Sequence, residues 1–507
     1  MPIGKQLLTI ASRLIRGGKA DWSALNREVV SLYQQQQFDQ AQSVAQRALD
    51  VAESTVGTDH PDVATSLNNL ALLYSAQGLH AEAEQCYKRA WEIFEKVHGP
   101  EHPKVATSLN NLATLYYATR NFPQAELFGQ QALAIVEKVL PTGHPDQLES
   151  LNNLAELYRV QGKFAQADPL YQRLLSLHEA CPESDPLLLA VSLKNLASSR
   201  HAQKEYPQAM ALYQRALTLR EETLGANHPQ VAVILNNLAL VQEAVGQHLL
   251  AETNFQRALT IREQAFGQMH PDVAKSLNNL ASFYNGRGRY AQAEPLYQQA
   301  LAIREQLLDG DHPDVAASLN NLALLYGAQG QYAHAEPLYS RALAIFERVL
   351  APDHPTLSSS LNNLAETYRF QGRHEKAEPL YLRALAIREK AFGPTHVSVA
   401  ASLNNLALLY SFQGRYGEAE PLYQRSRAIF AQVFGSKHPH VATSLINLAK
   451  LYRARGENSQ AISLYQQALA IREHLFTNSH PGVVAAQQEL AALLKSAAET
   501  DELPKKD

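Results

Sequence analysis

Histidine and asparagine are the residues of this chain whose spacing most invites a chemical reading. A His-Pro pair recurs at His60, His102, His144, His228, His270, His312, His354, His438 and His480, every interval being 42 residues or a multiple of it. Imidazole is a frequent metal ligand. Zinc, however, needs its ligands within about 2 Å of one ion, whereas histidines placed one per repeat in a helical stack fall roughly 10 Å apart. Punctuation is the better reading. Proline suits the first turn of a helix, where its missing N–H has no intrahelical partner, and the histidine before it takes a turn or capping role.

Asparagine forms the second series. Asn69, Asn111, Asn153, Asn195, Asn237, Asn279, Asn321, Asn363, Asn405 and Asn447 hold one register through ten consecutive repeats. One place earlier stand Asn68, Asn110, Asn152, Asn236, Asn278, Asn320, Asn362 and Asn404, with Lys194 and Ile446 interrupting. Asparagine lowers helix propensity and packs no better than its rivals, so its recurrence needs a hydrogen-bonding reason. Two reasons stay open at this level. The amides tie neighbouring helices together, or they bracket the backbone of a bound extended peptide whatever its side chains.

Selectivity then falls to positions that differ between repeats. Glu156 with Arg159, and Glu366 with Arg369, stand at i, i+3 and can neutralise each other on one helix. Lys194, Arg200 and His201, and Lys450 with Arg453, have no such partner in the same stripe. These cations point to acidic side chains or a terminal carboxylate in the ligand.

The elements that must position these groups are read from the repeat itself. In residues 60–101, Val63, Leu67, Leu70, Ala71 and Tyr74 follow the spacing of one helix face, closed at Gly78. A second run, Ala83, Tyr87, Ala90, Trp91, Phe94 and Val97, ends at Gly99. Each unit is thus a pair, helix A then helix B. Alanine holds one helix B position in all eleven units, from Ala41 and Ala83 to Ala461, where one methyl lets two helices approach closely. Tyr74 and its equivalents are expected to fill the space between units. Pro295, Pro337, Pro379 and Pro421 fall inside helix B and predict a slight kink or irregular turn there. On a helical wheel, the stripe opposite the buried residues holds Thr65, Asn68, Asn69, Leu72 and Ser75.

The spacing of Leu67, Leu70, Ala71, Tyr74, Gly78, Ala83, Tyr87 and Ala90 resembles the tetratricopeptide repeat pattern. The fuller string HPDVATSLNNLALLYSAQG, with AEPLYQRALAIRE-like helix B segments, resembles the long-repeat subclass of kinesin light chains. The resemblance covers about residues 19–498. It implies an all-α, right-handed superhelical α-solenoid of about eleven antiparallel helix pairs plus a C-terminal capping helix. It also implies that helix A residues line a concave groove holding extended peptides of protein partners. Light chains carry a long heptad segment before the repeats; residues before the first unit show no sustained heptads, so kinesin heavy chain is not an expected partner.

Bulk properties exclude other classes. The net charge is −4, with 45 basic and 49 acidic residues interspersed, which leaves no basic stripe for nucleic acid. Two cysteines, Cys86 and Cys181, make neither a disulfide framework nor a zinc site and fit a reducing, cytoplasmic setting. No stretch reads as a membrane span, and Arg13 and Arg16 break the apolar run near the start, making residues 1–18 an amphipathic capping segment. No G-x-S-x-G, Walker, G-x-G-x-x-G or H-E-x-x-H motif occurs, so neither catalysis nor a cofactor is expected. A non-catalytic adaptor is the leading expectation; the alternatives are a self-assembling scaffold and, last, an enzyme with a site assembled across repeats.

The ends and two central units are irregular. Residues 19–59 form a degenerate first unit, with Arg27 and Val29 at otherwise asparagine and alanine positions. Residues 481–497 read as a lone last helix A, Gln488 and Glu489 replacing the asparagines as a polar cap, and 499–507 as a disordered tail. Arg200 and Gln242 stand where other units have the inter-unit tyrosine, which predicts weaker stacking between about residues 185 and 250.

Overall fold

The computed structural model describes residues 20–35, 37–180, 185–477 and 480–501. These form 23 α-helices and no strand, an all-α solenoid of paired helices. Helix A of a regular unit runs sixteen residues, as in Pro61–Ala76 and Pro313–Ala328; helix B runs eighteen or nineteen, as in His80–His98 and Tyr332–Val349. The last helix A extends over Pro481–Asp501. The N-terminal segment 1–18, Cys181 and residues 502–507 lie outside the described residues. The chain divides into two compact units whose boundary falls between Ile261 and Arg262, inside the helix His248–Phe266.

Helix A begins where the histidine takes its cap. His60 Nδ1 accepts from the Asp62 amide at 3.2 Å, and His102, His144, His228, His270, His312, His354, His438 and His480 do the same for the residue two places on. His396 caps equally, although Val397 follows it in place of proline. In the fifth unit Asp185 supplies the oxygen, 2.8 Å from the Leu187 amide. One of the first-turn N–H groups is thereby satisfied in each unit. No group of three or more histidine, cysteine or acidic side chains is placed to hold a metal among the described residues.

Between helices A and B the chain turns through one left-handed residue. Gly78, Gly162, Gly246 and Gly330 hold that position with φ of 71–81°, whereas Arg120 and Lys204 adopt it, at 60° and 63°, with a side chain attached. Helix B then continues through Pro295, Pro337, Pro379 and Pro421 without interruption.

The core repeats as the helices do. The helix B alanines, including Ala83, Ala209, Ala335 and Ala461, are wholly buried. Helix B tyrosines go deeper than those of helix A: Tyr171, Tyr213, Tyr381, Tyr423 and Tyr465 rank among the largest fully buried side chains. Helix A tyrosines instead reach into the preceding unit with their hydroxyls. Tyr116 donates to Glu84 at 2.8 Å, Tyr326 to Glu294 at 2.9 Å and Tyr410 to Glu378 at 3.0 Å. Each is an aromatic wedge with a polar tip fixed to a carboxylate.

Candidate groove on the helix A face

Successive A helices touch across units, which brings the asparagine registers side by side. The second asparagine of one unit donates to the first asparagine of the unit before it. Asn195 Nδ2 lies 2.7 Å from Asn152 Oδ1, Asn321 from Asn278 at 2.7 Å, Asn405 from Asn362 at 3.0 Å and Asn447 from Asn404 at 2.9 Å. Asn69 makes the same bond to Asn26 of the degenerate first unit, at 2.7 Å. These are rungs of an amide ladder. The asparagines are half-buried, or at Asn110, Asn111, Asn195 and Asn236 just within the buried range.

The ladder is incomplete, and helix B explains part of the pattern. Arg304 extends from helix B to the start of the next helix A, donating to the Asp314 carbonyl at 2.9 Å and to Ser318 Oγ at 2.7 Å. Arg262 and Arg388 treat Ser276 and Ser402 alike, and burial lowers the pKa of each of these guanidinium groups. Where Val136 or Phe346 replaces the arginine, the serine is taken by the first asparagine instead: Asn110 donates to Ser150 at 2.7 Å and Asn320 to Ser360 at 3.3 Å. At Phe94, Ser108 Oγ and Asn68 Oδ1 are both buried without a partner. Phe430 departs from the rule, since Ser444 donates to its own helix at the His440 carbonyl and the Asn447–Asn404 rung survives.

Asn111, Asn153, Asn237 and Asn363 consequently keep side-chain amides that no rung uses. At Asn237 the cause is chemical, because its neighbour in the ladder is Lys194, which has no acceptor to offer. The position four residues after the first asparagine is variable and at least partly accessible: Leu72, Thr114, Glu156, Ser198, Leu240, Ser282, Leu324, Glu366, Leu408 and Lys450.

The charged side chains sort differently from a one-helix reading. Arg159 is held by Glu156 at 2.5 Å and Arg369 by Glu366 at 2.5 Å, with Tyr171 donating to Glu156 and Tyr381 to Glu366. Burial alone would raise the Glu156 pKa, but Arg159 and Tyr171 hold it below its ordinary value. Arg200 is not without a partner, being 2.5 Å from Glu205 and 3.4 Å from Asp168. Arg453 is likewise paired, 2.7 Å from Glu489 on the last helix A. Both corrections have one reason: the acids lie outside the arginine's own helix, Glu205 in the following turn and Asp168 and Glu489 on other helices, which a wheel drawn for one helix omits. Lys450 is exposed, while Lys194 is half-buried; burial pulls its ammonium pKa down against the opposing pull of Glu156.

Two further features escaped the sequence reading. The buried helix B arginines were legible only as a repeated Ile-Arg-Glu, a pattern that equally fits a solvated face. Glu149, in the register of Thr65 and Thr107, was visible as a lone acid whose i−3 neighbour is Asp146, another acid. With Thr107, Asn110, Asn111, Val136 and Asp146 it lines a small recess between two A helices.

The tetratricopeptide repeat family model matches residues 23–96, 70–138, 146–222, 188–264, 272–348, 328–390, 356–432 and 398–474, and a second model of the same description matches 236–307. Among solved structures, the chain is similar to a kinesin light chain protein of Podosopora anserina with nearly identical TPR-like repeats. Identity is 34%, covering 40% of this chain and 96% of that one, with a TM-score of 0.37. It is also similar to BtubC (BKLC) from P. vanneervenii, at 26% identity over 48% of this chain and 92% of that one, with a TM-score of 0.38. The apo form of RapI shares 16% identity over 73% of this chain and 98% of its own, with a TM-score of 0.50, a likeness of fold. Among curated proteins none matches the chain.

Proposed function

Because the chain belongs to the tetratricopeptide repeat family, we propose that it works as a non-catalytic adaptor that holds an extended segment of a protein partner along its helix A face. The observation that carries this reading is the row of half-buried amides that the array leaves unspent. Asn111, Asn153, Asn237 and Asn363 have no rung, and the Oδ1 atoms of Asn68 and Asn320 are buried without a donor. Those two oxygens are closed to a ligand, but the four rungless amides reach the surface, where a peptide can take the place of water. A peptide backbone offers one N–H and one carbonyl per residue, which an asparagine amide can meet on both sides.

The ladder and the groove are compatible functions of one series. Rungs hold the A helices at fixed spacing, so the free amides between them are pre-positioned and the ligand alone must be ordered. Side-chain selection then falls to the variable register of Leu72, Thr114 and Glu156, and to Lys194 and Lys450, which favour acidic groups. No helix among the described residues is long and apolar enough to cross a membrane. The two cysteines fit a cytoplasmic setting.

The test uses a peptide selected from a random library against the full chain. The double variant Asn153→Ala, Asn237→Ala should weaken its binding by about thirtyfold, at about 1 kcal/mol for each of two hydrogen bonds, with the helical circular dichroism unchanged. Unaltered affinity in that variant rejects the groove.

A further inference from the structure

The recess at Glu149 has chemistry that the amide ladder does not account for. Asn111, only 9% exposed, lines it, and its side-chain amide makes no hydrogen bond among the described residues. Asn110 gives its Nδ2 to Ser150 at 2.7 Å and so does not serve Glu149. Thr107 spends its hydroxyl hydrogen on the Pro103 carbonyl at 3.1 Å, which leaves Oγ1 as an acceptor. No cation lines the recess; Lys138 pairs with Glu101, and Lys194 lies in the field of Glu156. Asp146, on the same helix, is the one charged group whose field bears on Glu149.

We propose that this recess takes the ammonium group of a lysine side chain carried by the bound peptide, an inference that rests on the groove reading above. Three of its lining residues carry acceptors that take no hydrogen bond among the described residues: the Glu149 carboxylate, Asn111 Oδ1 and Thr107 Oγ1. An ammonium has three donors and a compact charge, so it fits a small opening with three acceptors. A planar guanidinium needs a wider slot and a bidentate partner. The cation takes the place of water at the Asn111 amide and neutralises an acid that otherwise stands beside another acid.

Proton linkage gives the site a second signature. Burial, with the field of Asp146, lifts Glu149 to about 7 in the free protein. Below that pH the carboxyl carries a proton that the ammonium must displace, so the preference for lysine weakens as pH falls from 8 to 6.

The probe is a pair of N-acetylated decapeptide pools of glycine, serine and alanine, with one fixed position as lysine or as its uncharged analogue norleucine. Binding to the full chain is followed by fluorescence anisotropy. The lysine pool should bind about tenfold tighter than the norleucine pool at pH 8, as a charge-assisted hydrogen bond provides, and the ratio should shrink at pH 6. Both effects should vanish in Glu149→Gln, and in Glu149→Thr, which installs the residue native to the preceding unit. Equal binding of the two pools, or a preference that survives both substitutions, overturns the inference. The groove reading then stands if Asn153→Ala with Asn237→Ala still weakens both pools. No binding of either pool removes the groove reading and this inference together.

Discussion

Asn321 donates to Asn278 at 2.7 Å across 43 residues of sequence, and it does so where Arg304 has taken Ser318, the alternative acceptor for Asn278. One unit later Phe346 leaves Ser360 free, Asn320 turns to it, and Asn363 is released from the ladder. In these two units the side chain on helix B correlates with whether an amide on helix A is structural or available.

Arg304→Phe should therefore redirect Asn278 to Ser318 and free the Asn321 amide. The change removes two hydrogen bonds from a buried cation and adds an apolar ring, so we expect a net loss of about 1–3 kcal/mol. A crystal structure of the variant checks the first expectation, and urea unfolding the second. Retention of the Asn321–Asn278 rung would mean that the correlation has another cause, as Phe430 already shows for one unit.

Arg120 and Lys204 occupy the left-handed turn position that glycine holds in most units. A residue with a Cβ pays about 1 kcal/mol there. Arg120→Gly and Lys204→Gly should each raise stability by up to about 1 kcal/mol, partly offset by the greater freedom of glycine in the unfolded chain. Differential scanning calorimetry reads this as a higher Tm; an unchanged or lower Tm counts against strain at these turns.

Two of the histidine caps, His102 and His438, make stability depend on pH. Nδ1 must be unprotonated to accept the amide, and burial holds the pKa values of His102 and His438 below the usual 6.5, helped by His98 and Lys104 in the first case and His440 in the second. The unfolded chain therefore binds these protons more readily than the folded one. Their contribution is complete above about pH 6.5 and is lost as pH falls through the folded values. Replacing both by asparagine, a cap with no proton to gain, should flatten stability between pH 7 and pH 5 in denaturant titrations.

Arg200 and Gln242 stand where flanking units place an inter-unit tyrosine. Arg200 is tied to Asp168 and Glu205, and Gln242 accepts from Asn254 at 2.8 Å, so polar contacts replace aromatic burial at two successive positions. Backbone amides between about residues 185 and 250 should exchange faster than those of the flanking units, because stacking energy in a repeat array is summed locally. Uniform protection across the region, read by mass spectrometry, would show that the ion pairs compensate fully.

Much of the fold was legible from periodicity. The helix bounds followed from His-Pro at one end and glycine at the other, and the buried alanines from their unbroken recurrence, since a close helix contact tolerates only one methyl. The site was less legible. Asn321 and Asn363 look identical in sequence, yet one is a rung and the other free, because the difference goes with Arg304 and Phe346 on another helix. Arg453 looked unpaired for the same reason, its acid lying 36 residues away at Glu489.

The sequence alone determined what repeats: a two-helix unit, its caps, its small-residue contact and the registers that must share a face, all of which depend on local geometry and a fixed period. Only the tertiary structure decided which amides are spent and which remain, where Arg200 finds its acids, and that Glu149 sits in a recess beside an unbonded asparagine. Those outcomes depend on distances between residues about forty places apart, and side-chain hydrogen bonds act over about 3 Å, a scale that spacing along a chain does not resolve.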